Sequence, residues 1–306
     1  MVTVLLAVYN GEMYLREQIE SILNQTVSDI KIIIRDDGST DSSAEIIGDY
    51  RSKYHDKISV ISGEPTGSAM LNFYEMLKSS DDDYIMFADQ DDIWYEDKVR
   101  ITLDKMLQAE SENPEKPILV HTDLTVTDGK MNIISDSFFA YQKIFPEDLS
   151  INRLLVQNYV TGCTVMINRA LKNRALPIPN EAAMHDWWLA LTASIFGKIV
   201  TIKSPTVYYR QHGNNSVGAK TGGGISFIFR KLKTFGDTKE NTSATYCQAE
   251  QLLNAYGDIM PEDKRIIVKA YADMRSAGRI KKIKLINGYN FKKCTKLRVL
   301  GQYLMG

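Results

Sequence analysis

Cysteine is scarce. The chain of 306 residues holds three, Cys163, Cys247 and Cys294, far apart and odd in number. That pattern suits neither a disulfide framework nor a metal cluster and points to a reducing compartment. Long apolar runs are also missing, and no stretch approaches the roughly 20 residues of a membrane-spanning helix. Met1–Tyr9 is apolar but lacks a basic leader and is too short for a secretory core, so no export signal is expected. There is no internal repeat and no low-complexity segment. Net charge is only −1, and no nucleic-acid partner is expected. What remains is an ordinary globular composition, 44% hydrophobic and 25% charged, long enough to bury a sizeable core.

The charge is unevenly spread. From Met274 to Gly306 there are nine Lys/Arg and no Asp/Glu, so the body of the chain is acidic and its end basic. Within that end, Arg279-Ile280-Lys281-Lys282-Ile283-Lys284-Leu285-Ile286 and Lys292–Leu300 interleave apolar and basic residues. Such a segment can lie on an anionic bilayer surface. The rival expectation is a basic helix packed on the domain.

The first half alternates strand and helix patterns. Val2–Tyr9, Lys31–Arg35, Ile58–Ile61 and Tyr84–Ala88 read as strands. The Ile32-Ile33-Ile34 run is typical of a strand buried on both faces. Between them, Tyr14, Leu15, Ile19, Ile22 and Leu23 recur at helical spacing. Ser42-Ser43-Ala44-Glu45 reads as a capping box, and Met70–Lys78 and Tyr95–Gln108 as further helices. Alternation of this kind implies a mostly parallel sheet with right-handed crossovers. The pattern then loosens. Strands are expected at Pro117–Val126, Met131–Ser135, Thr164–Ile167 and Ile199–Tyr209, with a helix at His185–Phe196. Gly213–Gly224 is long and flexible enough to be a lid. From Ile225 onward the pattern is helical.

Acidic clusters mark the strand ends, where open α/β sheets bind ligands. Arg35-Asp36-Asp37-Gly38-Ser39-Thr40-Asp41 follows the second strand, and Asp89-Gln90-Asp91-Asp92 the fourth. A third, His185-Asp186, opens a helix. Grouped carboxylates call for a cation to neutralise them. Asp and Gln oxygens suit Mg²⁺ or Mn²⁺, which bind substrate phosphates through one or two carboxylates. Asp89 and Asp91 are two apart and would share a face in an extended segment. Asp81-Asp82-Asp83 reads instead as a solvated turn, and His55 and His121 as surface or core histidines.

The series Val8-Tyr9-Asn10-Gly11, Ser21-Ile22-Leu23-Asn24-Gln25-Thr26, Arg35–Asp41 and Phe87-Ala88-Asp89-Gln90-Asp91-Asp92-Ile93-Trp94 resembles family-2 glycosyltransferases of the GT-A nucleotide-sugar fold. Asp-Gln-Asp-Asp-x-Trp is similar to the bacterial rhamnosyltransferase-like branch. So are His185-Asp186-Trp187-Trp188 and Tyr209-Arg210-Gln211-His212-Gly213-Asn214-Asn215. The resemblance spans roughly residues 2 to 220. It implies a GT-A domain over residues 1–224 and a C-terminal helical extension over 225–306. It also implies inverting transfer of a sugar, such as rhamnose from dTDP-rhamnose, to a hydroxyl of a cell-surface saccharide precursor on a lipid carrier. The setting would be the cytoplasm, with peripheral contact to the inner face of its membrane through the basic tail.

The same resemblance assigns roles. Tyr9 and Asn10 would border the donor base, and Asp37 would accept from its imide. Asp91 would bind the Mg²⁺ or Mn²⁺ on the diphosphate, with His212 completing the coordination, and Asp89 would hold the ribose or a metal-bound water. Gly162 would let the backbone approach donor or acceptor. Asp186 would be the catalytic base. His185 stands where the family often has Glu, so the acceptor contact changes there. Trp187 and Trp188 point apart at adjacent helix positions, one expected in the core and one lining an acceptor site. Two rivals remain. A nucleotidyltransferase should carry a glycine-rich basic phosphate loop near the N-terminus, absent here. A non-catalytic sugar-nucleotide-binding homologue sits poorly with intact Asp91 and Asp186.

Overall fold

The computed structural model of the protein describes residues 1–144, 146–212 and 239–305. The expected lid over Gly213–Gly224 lies outside them.

The first half follows the expected alternation: β1 (Val2–Val8), α1 (Leu15–Leu23), β2 (Ile30–Asp36), α2 (Ser43–Lys53), β3 (Ile58–Val60), α3 (Ala69–Ser79) and β4 (Tyr84–Asp89). β1 is central and pairs in parallel with β2 and β4, with Val8 opposite Asp36 and Ala7 opposite Asp89. The carboxyl ends of these three strands are therefore level. Tyr9–Gly11, Asp36–Asp41 and Asp89–Asp92 consequently emerge along one edge.

The second half supplies β5 (Ile93–Trp94), α4 (Lys98–Glu112), β6 (Ile118–Asp128), β7 (Ile133–Ser135), α5 (Phe138–Gln142), α6 (Ile151–Leu154), β8 (Met166–Asn168), α7 (Arg169–Ala175), α8 (His185–Phe196) and β9 (Lys198–Gln211). A single turn of 3-10 helix, Gly162–Thr164, precedes β8. The strands form one mixed sheet in the order β3-β2-β1-β4-β8-β6-β9-β5, with β7 added on β6. β8 runs antiparallel to both β4 and β6, which makes the sheet mixed. This is the expected GT-A-like α/β architecture.

Two local expectations fail for identifiable reasons. The helix expected from Tyr95 begins at Lys98, because Ile93 and Trp94 pair with Tyr208 and Val207 of β9. The capping box at Ser42 does not form. Ser42 makes no side-chain cap, and Asp41 Oδ1 accepts from Ser43 N instead (3.0 Å). The Ser43 hydroxyl is occupied by the Gly11 N–H at 2.8 Å, which ties the loop to the end of β1.

The described residues end in α9 (Lys239–Tyr256), α10 (Glu262–Ala272), α11 (Arg279–Gly288) and α12 (Lys296–Met305). One buried apolar cluster runs from Val4 of β1 to Leu252, Tyr271, Ile286 and Phe291 of this helical part. The C-terminal helices thus share the core of the sheet. No described helix is long and apolar enough to cross a membrane.

Candidate active site

The loop after β1 is shaped by hydrogen bonds to its neighbours. Asn10 adopts a left-handed conformation (φ 49°), which Asn tolerates better than most residues. Its Oδ1 accepts from Thr40 N (2.8 Å), and its own N–H donates to Ser39 Oγ (2.8 Å). Asn10 therefore braces the Asp36–Asp41 loop. Gln90 accepts from Tyr9 N (2.7 Å) and donates to Tyr9 O (2.8 Å), acting as a strand surrogate between two loops. A Cβ at Gly11 would stand 2.5 Å from Gln90 Oε1, so a larger residue there would displace the Gln90 amide from its bonds to Tyr9. The Gln90 amide is thus spent on the backbone. Tyr9 is left with its ring 53% exposed at the rim.

Asp37 is buried and crowded with donors. Its carboxylate accepts from Arg35 Nη1 (2.9 Å), Thr66 N (2.7 Å) and Gly67 N (2.8 Å), and from the Thr66 hydroxyl. Burial alone would raise its pKa. The bonds from Thr66, Arg35 and Gly67 outweigh burial and hold it below the usual carboxylate value. In this arrangement Asp37 organises the 64–67 loop.

Asp89 ends β4, and Gln90 and Asp91 turn away from it, so the motif is not the extended segment expected. Asp91 Oδ2 lies 2.9 Å from Nε2 of His212, two distant residues that the sequence pattern linked only by resemblance. The contact is a hydrogen bond, and because two cis ligands about 2.1 Å from an octahedral Mg²⁺ also lie about 3 Å apart, a cation replacing the bonding proton would need little movement of the pair. Asp89 is pushed up to about 7 by burial and by the neighbouring charges of Asp91 and Asp186. The three carboxylates therefore share one electrostatic basin, which a divalent cation would relieve.

Asp186 lies in the first turn of α8. Its Oδ1 accepts from Trp187 N (2.6 Å), with further bonds from the Gly162 N–H and the Asn158 side chain. Burial still wins and raises its pKa to about 7. A Cβ at Gly162 would lie 3.2 Å from His185 Nε2 and 3.6 Å from Asp186 Oδ2, so the missing side chain keeps this corner passable. The acceptor contact expected around His185, Trp187 and Trp188 meets a buried segment. His185 packs against both Phe73 and Phe87, with ring centroids at 4.2 and 5.0 Å, and neither ring nitrogen has a hydrogen-bond partner among the described residues. Trp187 Nε1 donates to Leu154 O (2.6 Å) and Trp188 Nε1 to Ala175 O (3.0 Å). Both indoles are core residues, because α8 is buried on nearly every side.

Four participants had been given no role from the sequence. Asp92 is fully buried, accepts from Arg210 N (3.2 Å), and shares a 4.8 Å group with Asp89 and Cys163. Cys163 is thus a neighbour of the carboxylates, although cysteine spacing alone gave no sign of it. Lys98, also fully buried, lies 4.8 Å over the Trp94 ring and is lowered to about 8 by burial. Arg210 reaches the turn from β9, its Nε donating to Asp91 O (3.0 Å).

Comparison with known proteins identifies the family. The family model "Glycosyl transferase family 2" matches residues 3–172. A protein named dTDP-rhamnosyl transferase RfbG, from Shigella flexneri, is 31% identical over 226 residues, covering 70% of this chain and 74% of the relative. A putative teichuronic acid biosynthesis glycosyltransferase, TuaG of Bacillus subtilis, is 28% identical over 83% of this chain and 96% of its own length. Among solved structures, the mannosyltransferase PcManGT from Pyrobaculum calidifontis in complex with GDP-Man and Mn²⁺ aligns with a TM-score of 0.58 at 14% identity. That alignment covers 99% of this chain and 84% of the other, and shows the shared fold. With the motifs in order along the chain and their loops on one sheet edge, the chain belongs to glycosyl transferase family 2.

Proposed function

We propose that this glycosyltransferase moves a sugar, with inversion, from a nucleoside-diphosphate donor of the dTDP-rhamnose type to a hydroxyl of a lipid-linked saccharide precursor. The observation that carries the reading is the convergence of Asp89, the Asp91–His212 pair and Asp186 on one basin, with Asp186 alone held by a helix N-terminus and backbone N–H groups. Inversion by direct displacement needs a single base near the sugar, and Asp186 supplies it. In its ionised form it takes the proton from the acceptor hydroxyl, a contribution of roughly 10²–10⁴ in rate. A divalent cation, when bound, stabilises the negative charge of the departing diphosphate by several kcal/mol. Asp91 and His212 would hold it, Asp89 would orient the ribose or a coordinated water, and Tyr9 would cover the base. A relative whose name specifies a dTDP-rhamnosyl transferase supports the donor class.

The test is Asp186→Asn. Donor binding should persist while transfer slows at least about 10²-fold, as for loss of a general base. Turnover near the wild-type rate would place the base elsewhere. A product with the same anomeric configuration as the donor would rule out inversion.

A further inference from the structure

We propose that Arg210 is a positioning residue that fixes the Asp91–His212 pair in register for a divalent cation. This rests on the reading of that pair as a cation site. Arg210 is the penultimate residue of β9 and is nearly inaccessible to solvent. A buried guanidinium is costly unless its donors and its charge are matched. Here its donors fan out to three separate elements. Nε donates to the main-chain oxygen of Asp91 (3.0 Å), Nη1 to that of Gly129 in the β6–β7 turn (3.2 Å), and Nη2 to the Glu17 carboxylate of α1. Its guanidinium carbon also lies 4.4 Å over the Tyr14 ring, and that ring lies 4.7 Å from His212.

The consequence is geometric. Asp91 sits in a turn, where no strand ladder holds its carbonyl or sets the direction of its side chain. Arg210 holds that carbonyl through its side chain. It holds the next residue through its backbone, since Arg210 N donates to Asp92 Oδ1 (3.2 Å). Two residues further on, the same strand end brings His212 Nε2 to Asp91 Oδ2. One residue therefore sets both halves of the pair, while Tyr14 packs against Arg210 and His212 together. The charge arrangement is compatible with a cation nearby. The guanidinium meets Asp91 at its carbonyl, while the Asp91 carboxylate faces His212, and Glu17 offsets the positive charge. Lysine could keep that charge but not three divergent bonds from a planar fork.

The experiment measures Mn²⁺ binding by the full chain in the presence of dTDP, following free Mn²⁺ by electron paramagnetic resonance. Arg210→Lys should bind Mn²⁺ at least about tenfold more weakly, as expected when a residue supporting a metal ligand is lost. Asp91→Asn sets the scale for a site without its carboxylate. Glu17→Gln, at a half-exposed position, should weaken Mn²⁺ by a smaller factor and keeps the test valid should Arg210→Lys fail to fold. Wild-type Mn²⁺ affinity in a folded Arg210→Lys, or in Glu17→Gln where the former does not fold, overturns the inference while leaving the cation site standing. Absence of Mn²⁺ binding by the wild-type chain overturns the cation site and the inference with it.

Discussion

Asp91 and His212 are 121 positions apart, yet their side-chain tips stand 2.9 Å from each other. If that contact is a cation seat, Asp91→Asn replaces an anionic oxygen with a neutral amide. Calorimetric titration of dTDP should then show binding that Mn²⁺ no longer strengthens. Unchanged Mn²⁺ enhancement would remove Asp91 from the seat. A second residue-scale prediction concerns His121, which is buried and depressed from 6.5 to about 3 by burial alone. A histidine depressed in the folded state contributes stability above its unfolded value. That stability is lost as pH falls from about 6.5 toward 3, at up to about 1.4 kcal/mol per pH unit. His121→Gln can retain a bond to Thr201, the partner 2.8 Å from Nε2, and cannot titrate. Its melting temperature should fall less steeply than wild type between pH 7 and 5, and parallel curves would refute this. Residue types in the motifs were legible because carboxylates at strand ends have few other uses. What Asp37, Gln90 and Arg210 do was not legible, because each spends its polar atoms on backbone groups far away in sequence.

At the scale of elements, α8 carries the most consequence. It presents Asp186 at its first turn while ten of its 12 residues are buried. Adjacent helix positions do point apart, but here both directions lead into the core, so Trp187 and Trp188 pack instead of facing an acceptor. Trp188 is fully buried beside Tyr256 of α9, with ring centroids 5.7 Å apart. Trp188→Ala should lower stability by about 3–5 kcal/mol in urea unfolding. A loss below about 1 kcal/mol would show that the surrounding helices close over the gap. The strands were legible because β1 and β2 are runs rich in β-branched residues or leucine and β4 is a continuous apolar run, the signature of parallel strands covered on both faces. β5 was not, since two residues carry no period and its pairing is decided by β9. The turn at Asp89–Asp92 escaped for a related reason: Gln90 bends it back to Tyr9, which composition cannot announce.

Over the whole molecule, the acidic body and the basic end meet in one folded unit. Ile286 and Phe291 are buried, Asn152 Nδ2 donates to Tyr289 O (2.7 Å), and Lys293 is itself largely covered. The tail is therefore packed on the domain, one of the two expectations raised by its sequence. The proposed membrane contact falls to what remains outside: Arg279, Lys281, Lys284 and Lys296 are exposed, and Ile280 among them is 75% exposed. Lys282 lies over the Tyr246 ring (5.9 Å) and belongs to the packing instead. Each basic residue near an anionic surface is worth about 1 kcal/mol, and the attraction fades over a Debye length of about 10 Å at 0.1 M salt. Four such residues with one apolar side chain give enough attraction for salt-sensitive binding and too little for permanent insertion. The intact chain should cosediment with phosphatidylserine-containing vesicles at low salt, release at high salt, and ignore zwitterionic vesicles. Changing Arg279, Lys281, Lys284 and Lys296 to Glu should abolish the binding while leaving hydrolysis of soluble donor unchanged, because none of the four reaches the Asp89–Asp186 basin. A wild-type chain that stays in the supernatant at low salt would end the membrane proposal, and the exposed basic face would then be only the solvated side of a packed helix.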